Sequence, residues 1–205
     1  TSQPCQVNIN CSEGNNWQDE KKGVARIIVV DGFYTSLCTG SLVNNTNEDG
    51  TPYFLTAFHC GGDVSASDFN SWQFEFNYES SGCNDGTYEP NSDVITGCTK
   101  RSGAPISGGS DFLLVELNST PPSNYNIVYN GWNKGSSSLN NGVSIHHPNG
   151  DIKKISTYTS SLSSATYNGS STGASAAHWR VYWSSTANGH GVTEGGSSGS
   201  PIFDS

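Results

Sequence analysis

At 205 residues with 33% hydrophobic content, the chain suits one compact unit or two small ones with a proper core. No apolar run nears the length a bilayer requires, and a net charge of −9 without a Lys/Arg stripe excludes a nucleic-acid backbone as partner, because nothing would release its counterions. Charged residues make up only 13%, leaving Ser, Thr, Asn and Gly to fill a surface of the kind common in secreted all-β proteins, and the acidic balance would mildly steer cationic peptides.

The chain opens on Thr1 without a basic-plus-apolar leader, which implies a product already processed from a precursor. A polar arm holding Cys5 and Cys11 follows. These two, with Cys38, Cys60, Cys83 and Cys98, lack the paired CxxC spacing of a zinc site, so disulfides and an oxidising, extracellular compartment are expected. Six cysteines allow fifteen pairings, and spacing does not choose among them. Apolar, β-branched runs then recur at 24–30, 37–43, 53–57, 72–78, 112–117, 143–147, 152–158 and 178–183, separated by turn-forming residues. In the fourth run Trp72, Phe74, Phe76 and Tyr78 alternate with Gln73, Glu75 and Asn77, the period of a half-buried strand. No segment sustains a helical stripe. Ser/Gly/Asn-rich stretches at 134–142, 159–176 and 184–191 read as surface loops. Pro121 and Pro122 forbid continued sheet pairing, which sets an expected boundary between residues 1–118 and 119–205. The pattern predicts an all-β barrel or sandwich.

Three islands carry the chemistry. Thr56-Ala57-Phe58-His59-Cys60 offers a base, Ser110-Asp111-Phe112 an orienting acid, and Gly196-Ser197-Ser198-Gly199-Ser200-Pro201 a nucleophile. A serine hydroxyl needs a base within hydrogen-bond reach, and the base needs a third group to fix its tautomer. His59 serves as base, Asp111 as its orienting partner and Ser198 as nucleophile. Gly108 and Gly109 free the backbone to bring the carboxylate inward. Gly196 and Gly199 permit a tight turn that would aim the backbone N–H groups of Gly196 and Ser198 at a developing oxyanion. Pro201 then re-enters a strand. His146 and His147 invite a metal reading, but strand neighbours point to opposite faces, so the pair is read as structural and no metal is expected. No cofactor is implied, since every required group is a protein group.

These residues resemble the chymotrypsin-like serine endopeptidases, most closely the secreted bacterial lysyl endopeptidases. The likeness runs through Cys38-Thr39-Gly40-Ser41-Leu42-Val43, Tyr53-Phe54-Leu55-Thr56-Ala57 before His59-Cys60, Ser110-Asp111-Phe112, Ile145-His146-His147-Pro148-Asn149, and Gly191-Val192-Thr193-Glu194 before the Ser198 turn. The resemblance implies a trypsin-like pair of six-stranded β-barrels, the second incomplete in this chain, with the first holding His59 and Asp111 and the second Ser198. It implies hydrolysis of protein or peptide substrates through an acyl-enzyme after Lys or another basic residue, and the disulfides Cys38–Cys60 and Cys11–Cys83. Phe58, where many relatives carry a small residue, is expected to pack away from the chemistry. Ser197 stands where animal trypsins have an Asp, so their zymogen switch is not expected. Val192 occupies the position of the trypsin pocket carboxylate. Lysyl endopeptidases supply that acid from a segment beyond the nucleophile, so a second fragment of the same precursor is an expected partner. Trp183, Val192 and Thr193 are the candidate substrate-binding residues. Cys98 has no family counterpart and is a possible partner for Cys5. A catalytically silent binding module or adhesin on the same fold is the alternative from a different class, and an esterase the alternative chemistry.

Overall fold

The computed structural model describes all of the chain except residues 87, 89, 136–138, 168–173 and 205. In chain order its strands are β1 (Val7–Asn8), β2 (Val24–Asp31), β3 (Tyr34–Val43), β4 (Tyr53–Ala57), β5 (Gln73–Phe76), β6 (Asp93–Thr96), β7 (Cys98–Ala104), β8 (Phe112–Leu117), β9 (Gly142–His146), β10 (Lys154–Tyr158), β11 (Ser163–Ala165), β12 (His178–Arg180) and β13 (Ile202–Asp204). A four-residue helix, α1 (Ala66–Phe69), starts on a capping box in which Ser65 and Asp68 satisfy each other's backbone N–H groups. Among the described residues no helix is long and apolar enough to cross a membrane.

The first sheet has the order β6-β5-β2-β3-β4-β8-β7. Its two edge strands, β6 and β7, are consecutive in sequence and separated by Gly97 alone. The edges must therefore meet, and the sheet curls into a barrel. Residues 93–104 act as one bent strand, pairing with β5 before the bend and with β8 after it, so seven assigned segments make a six-stranded barrel. Gly97 takes a φ of 84° at the bend, and a Cβ there would meet the Asn118 side chain at 2.5 Å and Asn70 O at 3.1 Å. Glycine alone relieves both constraints.

Side chains from every strand of this barrel converge on one core that includes Ile27, Leu42, Phe54, Trp72, Phe74, Ile95, Leu113 and Val115. In the run predicted at 72–78, Trp72, Phe74, Phe76 and Tyr78 are buried and Gln73 is exposed, but Glu75 departs from the alternation: it is buried too, paired with Arg26 on β2. The segment at 98–104 gave no such signal. It is mostly polar and exposed and has a register shift between Lys100 and Ser102, so it has no apolar period to read.

The second sheet has four strands in the order β1-β10-β9-β13, and β11–β12 forms a separate hairpin. In the described residues this second barrel is incomplete, with β1 and β13 at its open edges. The arm thus crosses from the chain start to the second sheet, where Val7 pairs with Ile155. Its core is small, joining Val7, Ile9, Cys11, Val24, Val143, Ile145 and Ile155. The hairpin revises the loop expected over 159–176, because Ser163–Ala165 pairs with His178–Arg180. Residues 136–138 and 168–173 of the predicted loops lie outside the described residues.

Two disulfides close on these sheets, Cys38–Cys60 and Cys11–Cys83. Cys5 and Cys98 do not pair. Cys5 is exposed on the arm, whereas Cys98 is buried in the first core, where desolvation pushes its thiol up to about 12.

The aromatic centre of the first barrel is the best place to test the packing. Phe54 is fully buried and meets Phe74 and Phe76 edge-on, with ring centroids 4.9 and 6.1 Å away. Phe54→Ala is expected to lower stability by about 3–5 kcal/mol, read as the shift in the denaturation midpoint at unchanged slope.

Candidate active site

His59 follows β4 on a single 3₁₀ turn, Phe58–Cys60. The turn is pinned at both ends of its short run. Phe58 N–H donates to Asp111 O at 3.0 Å, and Cys60 is bonded to Cys38 in β3. Phe58 itself is buried in the first core. Asp111 stands one residue before β8, and it is the aspartate itself that takes a left-handed conformation, with φ 59°. Aspartate tolerates that region better than most residues, and the turn aims its carboxylate at His59. Oδ1 accepts the His59 backbone N–H at 3.0 Å, and Oδ2 lies 2.6 Å from His59 Nδ1. On the other side of the ring, Nε2 lies 2.8 Å from Ser198 Oγ. The exposures differ as the roles would require: the His59 side chain is 51% exposed and that of Asp111 only 12%. The imidazole is open to a ligand, while the carboxylate orienting it is shielded.

Ser198 sits in a turn stitched to both sheets. Thr39 in β3 donates its N–H to Ser198 O at 2.9 Å and its hydroxyl to Gly196 O at 2.8 Å, while accepting His147 N–H at 3.0 Å. Thr56 Oγ1 donates to Thr39 O at 2.7 Å. Gly199, at φ 84°, lies so close to this pair that a Cβ would come within 2.2 Å of Thr56 Oγ1 and 2.4 Å of Thr39 O. Any side chain there would push the turn off the first barrel. From the second sheet, Ser144 Oγ donates to Pro201 O at 2.9 Å, and His146 Nδ1 lies 2.8 Å from Ser197 Oγ. Among the described residues, neither Gly196 N–H nor Ser198 N–H has an acceptor.

The fold therefore brings His59, Asp111 and Ser198 to one point from three separate segments. Trp183 and Thr193 also come together, lining a hollow of about 290 Å³ with Trp179, Val181, Ser200 and Ile202. Val192 does not join them; its carbonyl instead accepts Gln6 Nε2 at 2.6 Å. The sequence reading missed Thr39 and Thr56, which look like ordinary strand residues until the barrels meet. It also missed Glu194, whose only signal is its place just ahead of the Gly196 turn.

Comparison with known proteins places this geometry among relatives. The family described as lysyl endopeptidase, C-terminal domain, matches residues 1–205. A lysyl endopeptidase of Pseudomonas aeruginosa is 32% identical over 214 residues, covering 97% of this chain and 41% of that protein. The chain thus spans less than half the length of that relative. A crystal structure of a thermostable serine protease from an extremophilic microorganism has a TM-score of 0.59 at 14% identity, covering 91% of this chain and 80% of the other. The crystal structure of Deg5 gives 0.56 at 13%, covering 93% and 78%. These two likenesses establish a trypsin-like all-β fold.

Beneath the turn, His146 and His147 are completely buried and face different partners. His146 Nε2 lies 2.8 Å from Ser156 Oγ, and His147 Nδ1 lies 2.9 Å from Asp151 O. Burial, reinforced by the Lys154 charge, pushes His146 down to about 3. Burial, with Lys153 nearby, holds His147 well below the usual imidazole range. Both are neutral in the fold, whereas in the unfolded chain they titrate near 6.5. Below that pH the unfolded chain binds more protons, so the stability present above about 6.5 is lost as pH falls toward about 3, where His146 itself protonates. The expected slope is up to about 1.4 kcal/mol per pH unit for each histidine. Denaturant midpoints at pH 7, 6 and 5 measure it, and His146→Gln should make the slope shallower.

Proposed function

The chain belongs to the lysyl endopeptidase C-terminal domain family, and on that premise we propose that it is a secreted serine endopeptidase that cleaves after lysine, or another basic residue, through His59, Asp111 and Ser198. The observation carrying this reading is the unbroken run of hydrogen bonds from Asp111 Oδ2 through His59 to Ser198 Oγ, at 2.6 and 2.8 Å. Asp111 accepts the Nδ1 proton, which leaves the Nε2 lone pair facing the hydroxyl. Ser198 Oγ then attacks the scissile carbonyl carbon as its proton passes to Nε2. The carbonyl oxygen becomes an oxyanion facing the free N–H groups of Gly196 and Ser198. His59 returns the proton to the leaving amine as the C–N bond breaks, and water cleaves the acyl-enzyme by the same route.

The lobes are proposed as residues 1–118, bearing base and acid, and 119–205, bearing the nucleophile, with β1 crossing to the second sheet. Trp183, Val192 and Thr193 are proposed to contact substrate. A lysine suits the Trp183 wall, since its aliphatic stem can lie along an aromatic face. No carboxylate lines the hollow among the described residues, so the acid that pairs with the substrate ammonium is proposed to lie outside that lining. The two disulfides support an oxidising, extracellular setting.

A biotinylated fluorophosphonate should label Ser198 alone, located by mass spectrometry, and a panel of Lys, Arg and Leu esters and amides should show the greatest kcat/KM for Lys. Ser198→Ala and His59→Ala should abolish both labelling and turnover. Asp111→Asn should lower kcat by about 10⁴-fold by leaving the wrong tautomer facing the hydroxyl. Appreciable hydrolysis by Ser198→Ala would overturn the assignment, and unlabelled folded protein would point to a silent binding module. The intact non-reduced mass, set against 21.7 kDa, shows whether a second fragment travels with the chain.

A further inference from the structure

The N-terminal arm grips the loop that carries Ser198. Ser2 donates its N–H and hydroxyl to Asp151 Oδ2 at 2.7 and 2.8 Å. Gln3 N–H donates to both oxygens of the Glu194 carboxylate, at 3.1 and 3.3 Å. Cys5 O accepts His190 N–H at 3.0 Å. Gln6 Nε2 donates to Glu194 Oε1 as well as to Val192 O. A further donor to Glu194, Asn149 Nδ2 at 3.0 Å, comes from the turn beside Asp151. Among the described residues Glu194 makes no ion pair, so neutral donors, most of them from the arm, hold this carboxylate in place.

Glu194 is also wired to the turn. Its N–H donates to Ser197 Oγ at 3.1 Å, and its carbonyl accepts Ser197 N–H at 3.0 Å. Ser197 stands between Gly196 and Ser198, whose N–H groups are the proposed oxyanion donors. A carboxylate stripped of its donors swings toward water, because hydrogen bonds to an ionised group are strong and costly to leave unmade. Losing the arm would leave Glu194 with Asn149 alone and would drag the backbone joining it to Ser197. The His146 contact to Ser197 would still pin the turn to the second sheet, so the expected effect is local loosening rather than unfolding.

We propose that Glu194 is a positioning residue through which arm residues 2–6 hold the nucleophile turn in its reactive shape, so that docking of the arm sets the reactivity of the site. Its effect on reactivity rests on the peptidase reading above; the clamp itself does not. The test compares wild type, Glu194→Ala, Gln6→Ala and Glu194→Gln by hydrogen exchange across residues 189–200 and by the rate of fluorophosphonate labelling. Exchange should rise in that segment for Glu194→Ala and Gln6→Ala while residues 24–57 stay protected. Labelling and kcat should fall about 10- to 100-fold in Glu194→Ala, short of the loss of a whole oxyanion donor, with KM changed far less. Gln6→Ala should show a smaller fall. Glu194→Gln, which keeps an acceptor for the arm, should recover most of the rate.

Wild-type exchange in both Glu194→Ala and Gln6→Ala overturns the clamp whatever the rates. Raised exchange with undiminished labelling overturns its link to reactivity. Raised exchange in a protein whose wild type takes no label leaves the clamp standing and removes the peptidase reading instead. Should Glu194→Ala fail to fold, Gln6→Ala and Glu194→Gln carry the same comparison.

Discussion

Two neighbouring residues on strand β3, Cys38 and Thr39, hold the halves of the site in register. Cys38 is bonded to Cys60, the residue after His59, and Thr39 N–H holds Ser198 O at 2.9 Å. The imidazole and the serine thus hang from adjacent positions in the buried half of one strand, although they lie 139 positions apart in sequence. Cys38–Cys60 closes a separation of 22 residues, a loop whose closure contributes on the order of 3 kcal/mol. The larger consequence is geometric. A strand paired on both sides fixes where the His59 turn and the Ser198 turn attach, which favours their 2.8 Å contact.

Strand β9 does the corresponding work from the second sheet because both of its faces are used. Val143 and Ile145 point into the small apolar core, while Ser144 and His146 reach the turn around Ser198. An ordinary half-buried strand would leave the second set in water. Here all five residues of the strand are buried, and the polar ones are matched to Pro201 O, Ser200, Ser197 and Ser156. In that dry setting, protonating His146 would place an unpaired charge beside Lys154, so the imidazole stays neutral and keeps an acceptor nitrogen. The Ser198 turn is therefore held by hydrogen bonds of a neutral network beneath it and by donors to a carboxylate, Glu194, on its arm side.

Much of the first barrel was legible because its strands bury one face and show the other to water. Phe112–Leu117 reads as a strand from its apolar residues, and at 72–78 the four aromatic positions are buried as the alternation implies, although Glu75 between them is buried too, paired with Arg26. What the pattern missed were segments without such a contrast: Asp93–Thr96 is short, Cys98–Ala104 is largely polar, and Val7–Asn8 is a two-residue arm strand. Each acquires strand geometry from the strand it pairs with, β5, β8 and β10 in turn, rather than from local preference. The same holds at the site. Asp111 could be singled out as a residue leading an apolar strand, but the left-handed turn at Asp111 itself, which follows a Gly108 also at positive φ, shows only in the fold.

By itself, the sequence determined the family and the all-β architecture, because both rest on local properties: the residue types in a few short islands and the period of burial. Tertiary structure alone decided which ordinary residues matter. No local pattern marks Thr39, Ser144, His146 and Glu194 as supports of the Ser198 turn, since their contacts reach residues as far as 191 positions away. It also decided that Cys5 and Cys98 stand apart, one on an exposed arm and one inside a barrel core. Such pairings are set by where the two sheets close on each other, and no local pattern encodes that closure.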